Sequence, residues 1–197
     1  MSFPVYIQLG TLQLHPHPVF EALAYFIGFR FYLLTRSKGN MPANVALSVL
    51  AGAIVGAAAG SKLLYWLEDP VATAAHAAGL FHSGTTLQSV HYLMGGKTIV
   101  GGLLGGLIGV EWTKKKIGWT RSTGDDFALP LLLGIAIGRI GCFLTGLSDH
   151  TYGTPTGWIT GVDFGDGIPR HPAQLYEIAF LMLLAAFLIA VKRRRVK

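Results

Sequence analysis

Charged residues are scarce in this 197-residue chain, in which Asp, Glu, Lys and Arg together make up 13% of the sequence. A soluble domain usually carries about twice that share. The single cysteine excludes an internal disulfide framework. No Ala-x-Ala-like cleavage site follows the first apolar block, so we interpret that block as a retained helix and not as a signal peptide. Long-period repeats and a separate soluble domain are also lacking.

Apolar residues, by contrast, make up 51% of the chain and occur in long blocks. A helix that crosses a membrane needs about 20 mostly apolar residues. Five blocks meet this requirement: residues 19–35, 43–67, 92–112, 127–147 and 173–191. We therefore predict an all-α polytopic membrane bundle of about five transmembrane helices, forming a single membrane domain over residues 1–197.

The net charge of +6 is unevenly distributed along the chain. Basic residues form short clusters beside apolar blocks, which argues against nucleic acid as a partner. They concentrate in the first connection, the third connection and the tail: Arg36, Lys38, Lys114, Lys115, Lys116, Arg121, Lys192, Arg193, Arg194, Arg195 and Lys197. The other two connections are poor in Lys and Arg but contain Glu68, Asp69, His76, His82, Asp149 and His150. Because positive loops stay cytoplasmic, we expect the N-terminus outside and the C-terminus in the cytoplasm.

The fourth connection, residues 146–172, is rich in Gly, Thr, Pro and Asp, which favour turns over helix. We predict that it forms a small extramembrane head, with a simple linker as the alternative. The head has Trp158, Ile159, Val162 and Phe164 to bury against the bilayer surface.

Glycine recurs every fourth residue in three of the predicted spans: Gly52, Gly56 and Gly60, then Gly101, Gly105 and Gly109, then Gly134 and Gly138. Residues four apart share one helix face, so each row offers a smooth groove to a neighbouring backbone. We predict close helix packing along these rows. A compatible interpretation is that the flat faces also leave room for lipid acyl chains.

Arg139 lies deep in the fourth predicted span. A charge near the bilayer centre costs roughly 2.5–3.5 kcal/mol on insertion scales, so it usually has a partner or a purpose. Arginine stays ionised and binds phosphate or carboxylate with two parallel donors. We interpret Arg139 as a ligand for an anionic head group. The alternative is a structural ion pair with Glu177 or Glu21.

The segment RHPAQLYE, residues 170–177, opens the fifth predicted span. His171, Gln174 and Glu177 follow one another at steps of three and share one broad helix face. Pro172 suits the first helical turn. His171 is then either a proton carrier at the water boundary or a satisfied cap residue.

Other polar groups in the spans carry weaker indications. Lys62 either snorkels to the outer end of its helix or lines a cavity with Arg139. Cys142 is a candidate nucleophile, although a buried cysteine is more often a small apolar residue. The histidines show no firm ligand spacing, so no metal and no cofactor are predicted. These histidines are His15, His17, His76, His82, His91 and His150.

Three segments together resemble the prolipoprotein diacylglyceryl transferase family. They are GGKTIVGGLLG at residues 95–105, GRIGCFLTG at residues 138–146 and the RHPAQLYE segment. Their order and spacing agree with the family along nearly the whole chain, and we identify the chain as a divergent, short member. The resemblance implies transfer of a diacylglyceryl group from phosphatidylglycerol to the lipobox cysteine of a preprolipoprotein, at the outer face of the bacterial inner membrane.

From these residues and the resemblance we predict one set of site residues. Those predicted to be catalytic are Arg139, His171 and Glu177. Those predicted to bind substrate are Arg139, Gly101, Gly102, Gly138, Gly141, Arg170, Gln174, Tyr176 and Lys62. Partners are then a phosphatidylglycerol-like phospholipid and a lipobox-bearing preprolipoprotein.

The chain also departs from the family pattern. Val100 stands where the family keeps a histidine that is a favoured catalytic base, and His171 or His91 is the candidate substitute. Cys142, Thr145 and Leu147 replace the family's two Asn and its Glu, Glu21 its Tyr and Ala58 its Arg. Family members continue for two more helices, so we expect either a shorter branch or a shortened chain.

Two further interpretations stay open beside the transferase. One is a relative without catalysis that binds or moves an anionic lipid or solute. The other is a structural membrane subunit that needs a partner to supply the missing helices.

Overall fold

The computed structural model describes residues 3–36, 41–81 and 86–195, and the side chains of residues up to 194. Lys38, His82 and Lys197, named above for the charge distribution, lie outside the described residues. The described helices in chain order are α1 Pro16–Thr35, α2 Ala43–Glu68, α3 Pro70–Gly79, α4 Thr86–Gly95, α5 Ile99–Ile117, α6 Gly124–Thr145 and α7 Ala173–Arg195. Four short strands accompany them: β1 Ile7–Leu9, β2 Leu12–Leu14, β3 Val162–Asp163 and β4 Pro169–Arg170. The all-α class is confirmed.

Four helices among the described residues are long and apolar enough to cross a membrane: Pro16–Thr35, Ala43–Glu68, Gly124–Asp149 and Ala173–Arg194. The third predicted span is a bent pair of helices, since Thr86–Gly95 and Ile99–Ile117 meet at an angle of 66°. The third predicted block, 92–112, is therefore wrong as a continuous helix. The orientation of the termini stays a prediction.

Large apolar side chains cover the outside of these helices, as expected for a protein whose solvent is lipid. Tyr25 and Phe26 of α1 are 68% and 65% exposed, and Leu183 and Phe187 of α7 are 71% and 62% exposed. In water, so much exposed apolar surface would drive association. The chain is a multi-pass membrane protein.

The chain divides into two compact units, one formed by Met1–Arg36 with Ser122–Lys197 and the other by Ser37–Arg121. In the first unit, α6 packs against both α1 and α7. Gly141 allows the close approach to α1, because a Cβ added there would lie 2.7 Å from that of Phe20. The prediction of one membrane domain stays a prediction.

The predicted head, residues 146–172, is folded in this first unit. It begins with a 3-10 helix, Gly146–Asp149, and contains the antiparallel pair of β3 and β4. Trp158 and Ile159 are exposed as expected, but Phe164 is only 2% exposed. Its ring packs 5.1 Å from Phe3 and 5.9 Å from Phe143, so Phe164 forms the core of the head and does not face a bilayer.

The second unit is dominated by the packing of α2 along α5. A Cβ at Gly56 would lie 2.2 Å from the Gly105 carbonyl oxygen, and one at Gly109 would lie 2.1 Å from that of Gly52. Real Cβ atoms do not approach so closely, so these helices contact backbone to backbone through their glycine rows. Close packing along these two rows is confirmed. It is wrong for the third row, because a Cβ at Gly138 would meet no described atom within 4 Å and one at Gly134 would have an ordinary contact of 3.5 Å.

Candidate polar site at the ends of α1, α6 and α7

Arg139 lies on α6, and its Nε forms an ion pair with Oε2 of Glu177 on α7. The Arg139 side chain is 19% exposed and that of Glu177 is 45% exposed. Glu177 is thus one of the two ion-pair partners that the sequence suggested for Arg139. It neutralises a charge that is costly among apolar side chains. Beside it, a Cβ added at Gly138 would meet no described atom within 4 Å, so the helix face next to Arg139 is open.

His17 and Asp149 form a second ion pair in the same unit, between Nδ1 and Oδ1 at 2.8 Å. The Asp149 side chain is 7% exposed and the His17 side chain 43%. Cys142 lies between them and Arg139 on the last turns of α6, and its Sγ is within 4.8 Å of the His17 and Asp149 ligand atoms. No spacing rule could have linked His17 to Cys142 and Asp149, because His17 lies far from both in the sequence.

Gln174, predicted to bind substrate, is completely buried at the start of α7. Its Nε2 donates to Oγ1 of Thr151 at 3.1 Å, and that hydroxyl donates to Oδ2 of Asp149. The Gln174 Oε1 has no hydrogen-bond partner among the described residues. Gln174 therefore holds the head to α7 and orients Asp149 through Thr151.

His171 and Tyr176 are coupled through their side chains. Nδ1 of His171 lies 3.0 Å from the Tyr176 hydroxyl, which is 2.8 Å from Oγ1 of Thr160. The His171 backbone N–H donates to the Thr154 carbonyl at 3.0 Å. The His171 side chain thus faces a phenol and not the amides of the first turn of α7. Of the two predicted roles, that of a group able to exchange a proton fits this contact better.

Arg170 is bound within the head by Asp166. Two parallel hydrogen bonds of 2.7 Å join its Nη1 and Nη2 to the Asp166 carboxylate, and its guanidinium lies 5.0 Å from the Tyr152 ring centre. The hydrogen bonds from Arg170 lower the pKa of Asp166 below its ordinary value. As a substrate ligand, Arg170 would have to exchange this carboxylate for the lipid anion.

Because the pKa of Asp166 is lowered in the folded protein, its stabilising effect is present above pH 3.8 and is lost as the pH falls through the lowered pKa. We expect the Ile168 N–H, which donates to Asp166 at 3.2 Å, to lose protection from hydrogen exchange in that range. Asp166→Asn keeps the acceptor without the charge and should show weaker protection that does not change there. Loss of this protection in the wild type already above pH 3.8 would contradict this account.

Lys62, Gly101 and Gly102 belong to the second unit. Nζ of Lys62 donates to the carbonyls of Leu93, Met94 and Gly96, the last at 2.7 Å. These carbonyls lie at the end of α4, where helical partners run out. Lys62 thus caps a helix end, and its two predicted roles, snorkelling or lining a cavity with Arg139, stay predictions.

The same capping explains the break between α4 and α5. Trp66 donates from its indole to the Leu93 carbonyl at 3.2 Å, and Ser61 accepts from the Thr98 N–H at 2.9 Å. A Cβ at Gly96 would lie 2.1 Å from the Tyr65 ring. Polar groups of α2 therefore replace the helical hydrogen bonds that the bend removes.

We expect Lys62→Met to lower the stability of the protein by about 2 kcal/mol, because several carbonyls lose a charged donor. The measurement is the thermal unfolding midpoint by circular dichroism in micelles. Lys115→Met, which removes an exposed lysine of α5, is the matched control and should leave the midpoint nearly unchanged. Equal midpoints for both variants would show that the cap contributes nothing.

The four predicted site glycines have different surroundings. A Cβ at Gly101 would lie 2.4 Å from the Gly60 carbonyl oxygen, so its face is filled by α2. Gly102 has only ordinary contacts, the nearest at 3.8 Å. Gly141 faces α1, where a Cβ would lie 2.7 Å from that of Phe20. Gly138 alone of the four is open beside Arg139.

The candidate bases have distinct positions. Val100 is exposed on the first turn of α5. His91 lies in the second unit and lines a small pocket with Tyr65, His76 and Tyr92. His171 lies in the first unit with Arg139 and Glu177.

The fold and this site define a multi-pass membrane protein whose polar groups converge where α6 ends and where α1 and α7 begin. The family model described as Prolipoprotein diacylglyceryl transferase matches residues 4–197. The chain belongs to this family of transferases.

Individual relatives agree with this assignment. A phosphatidylglycerol–prolipoprotein diacylglyceryl transferase of Polynucleobacter necessarius is 30% identical over 208 residues, covering 98% of this chain and 74% of the relative. Proteins with the same description from Bordetella parapertussis and Solidesulfovibrio magneticus are 31% and 33% identical, covering 65% and 68% of those relatives.

Proposed function

We propose that this protein transfers a diacylglyceryl group from phosphatidylglycerol to the cysteine thiol of a prolipoprotein, in the bacterial inner membrane. Family membership supports the reaction. The observation that carries the site is Arg139: a mostly buried guanidinium, paired with Glu177, beside the open face of Gly138. A cation held among apolar side chains is suited to an anion that arrives from the bilayer.

In the proposed reaction, the acceptor sulfur attacks the glycerol carbon that carries the phosphate. A carbon–sulfur bond forms and the carbon–oxygen bond breaks, so the electron pair leaves with glycerol phosphate. Arg139 stabilises the charge that develops on this phosphate. Glu177 positions the guanidinium and keeps it neutralised before the lipid binds. The thiol proton must first pass to a base.

We assign the role of proton acceptor to His171, because its Nδ1 is already hydrogen-bonded to the Tyr176 hydroxyl. An imidazole is suited to this transfer near neutral pH. Gln174 holds the head that carries His171 against α7 through Thr151. Arg170, Gly102 and Gly141 stay predicted substrate contacts around this centre, and so do Gly101 and Lys62 in the second unit.

The test is transfer by the purified full chain in vesicles of phosphatidylglycerol, with a peptide that carries a lipobox cysteine as acceptor. We expect the peptide to gain one diacylglyceryl group and an equal amount of glycerol phosphate to be released. A peptide with serine in place of the cysteine, and vesicles of phosphatidylethanolamine, are the controls. Absence of product when both phosphatidylglycerol and the cysteine peptide are present would contradict the proposal.

A second candidate function is binding of an anionic lipid without catalysis. Val100 favours it, since a valine side chain accepts no proton where the family keeps histidine. The same vesicles separate the two functions: this candidate predicts saturable binding of phosphatidylglycerol that depends on Arg139, with no glycerol phosphate released.

A further inference from the structure

Three metal-ligating side chains of different chemistry meet at the end of α6. They are His17 on the first turn of α1, Cys142 on the last turn of α6 and Asp149 at the end of the 3-10 helix. One ligand atom from each lies within 4.8 Å of the other two. His17 and Asp149 form an ion pair with each other. That pair does not account for the thiol of Cys142 beside it.

The fold brings these residues together through two glycines. A Cβ at Gly141 would lie 2.7 Å from that of Phe20 and 3.5 Å from Cα of His17, so the lack of a side chain at residue 141 allows α1 to cross α6 this closely. Gly146 ends α6 with φ of 73°, in the left-handed region, and turns the chain into the 3-10 helix that carries Asp149.

We propose that His17, Cys142 and Asp149 bind a divalent transition metal ion, with zinc as the best fit. Zinc takes imidazole, thiolate and carboxylate ligands in tetrahedral sites, and catalytic zinc sites have three protein ligands and one open position. A tetrahedral zinc ion holds its ligand atoms roughly 3.5 Å apart, as its bond lengths require. Small side-chain rotations bring the cluster to that spacing.

The surroundings support the ligands. Thr151 donates to Oδ2 of Asp149, and Gln174 donates in turn to Thr151, so the carboxylate is oriented from behind as metal ligands usually are. The nearest cation is Arg139, one turn before Cys142, and its charge is matched by Glu177. Asp149 is nearly buried, whereas His17 is 43% exposed and leaves access to the site.

The open position has a natural occupant if the protein is the transferase proposed above, on which this step rests. The acceptor thiol binds the metal as thiolate, because a coordinating thiol is deprotonated outright, and its proton passes to the base assigned above, His171. The thiolate sulfur then attacks the glycerol carbon and glycerol phosphate leaves with the electron pair. Deprotonation of the thiol then needs no histidine at the position of Val100.

The metal site is tested apart from activity. Purified full-length protein is stripped with a chelator, loaded with Co²⁺ or Zn²⁺ under a reductant without thiols, and freed of excess metal. We expect about one bound zinc per chain. With Co²⁺ we expect visible bands of tetrahedral cobalt and a sulfur-to-cobalt charge-transfer band.

Cys142→Ser should abolish the charge-transfer band and lower bound zinc at least tenfold, while its hydroxyl keeps the side chain nearly the same size. His150→Asn is the matched control, because it removes a neighbouring histidine at a φ of 55° that Asn accepts readily. It should bind metal as the wild type does. Unchanged elution in size-exclusion chromatography shows that each variant is folded.

Absence of the charge-transfer band in the wild type, or its persistence in Cys142→Ser, overturns the metal site. Bound metal without diacylglyceryl transfer supports the site and contradicts the proposed function. Transfer at full rate by protein stripped of metal supports the function and overturns the role of the metal in activating the thiol.

Discussion

Arg139→Ala should lower the rate of diacylglyceryl transfer about 100- to 1,000-fold, the loss that follows removal of one donor to developing negative charge. The Arg139 side chain is only 19% exposed, so water cannot readily replace its guanidinium. The measurement is the release of glycerol phosphate under saturating acceptor peptide.

Two companion variants separate charge from geometry. Arg139→Lys keeps a cation but loses the planar fork, so we expect a rate between those of the wild type and the alanine variant. Glu177→Gln leaves the guanidinium without its carboxylate partner and should chiefly alter lipid affinity. If Arg139→Ala keeps more than about a tenth of the wild-type rate, Arg139 is not the phosphate ligand.

A structural role for the pair makes a different prediction. Removing one partner of a shielded ion pair leaves an uncompensated charge and destabilises the fold. In that case Arg139→Ala, which leaves Glu177 alone, and Glu177→Gln, which leaves Arg139 alone, would lower activity and stability together. Unfolding of each variant must therefore be measured beside its rate.

The helices were predictable because lipid imposes a simple requirement on sequence. Every backbone polar group in the bilayer must be satisfied internally, so a long apolar block has few alternatives to a helix. The glycine rows were equally informative: Gly56 and Gly105, four-residue repeats in different spans, contact each other as backbone surfaces. A pattern on each helix thus predicted a contact between them.

The break between α4 and α5 was not predictable in the same way. An apolar block shows that a segment can be buried, but not that Lys62 and Trp66 of another helix replace its internal hydrogen bonds. This exchange depends on tertiary structure, and Gly96 alone in the sequence pointed to it. The sequence showed a lysine within an apolar block, but not the carbonyls at the end of α4 that it caps.

The polar site shows the same division. Arg139 and Glu177 were predicted because charges in apolar blocks are conspicuous, and the fold pairs them. His17 and Asp149 lie at the edges of apolar blocks, where polar residues are ordinary. Only the close crossing at Gly141 and the turn at Gly146 bring them to Cys142. No pattern along the sequence predicts that these three residues lie together.

Gly105→Ala should strongly destabilise the second unit. Its Cβ would lie 2.2 Å from the Gly56 carbonyl oxygen and 2.8 Å from Cα of Gly60, both backbone atoms that cannot rotate away. The helices must separate, which weakens the contacts along both glycine rows. We expect a loss of about 3 kcal/mol, at the upper end for an overpacked core.

Gly106→Ala is the matched control on the next residue of α5. Its Cβ would have ordinary contacts of 3.5 Å with Ala53 and Ala57. Both substitutions gain the same helix propensity, so the difference between them isolates the clash. Unfolding in mixed micelles with increasing dodecyl sulfate should show an earlier midpoint for Gly105→Ala, and a midpoint equal to or later than that of the wild type for Gly106→Ala. Coincident midpoints for the two variants would mean that the helices separate without loss of stability. That result would contradict the contact between backbone atoms of α2 and α5.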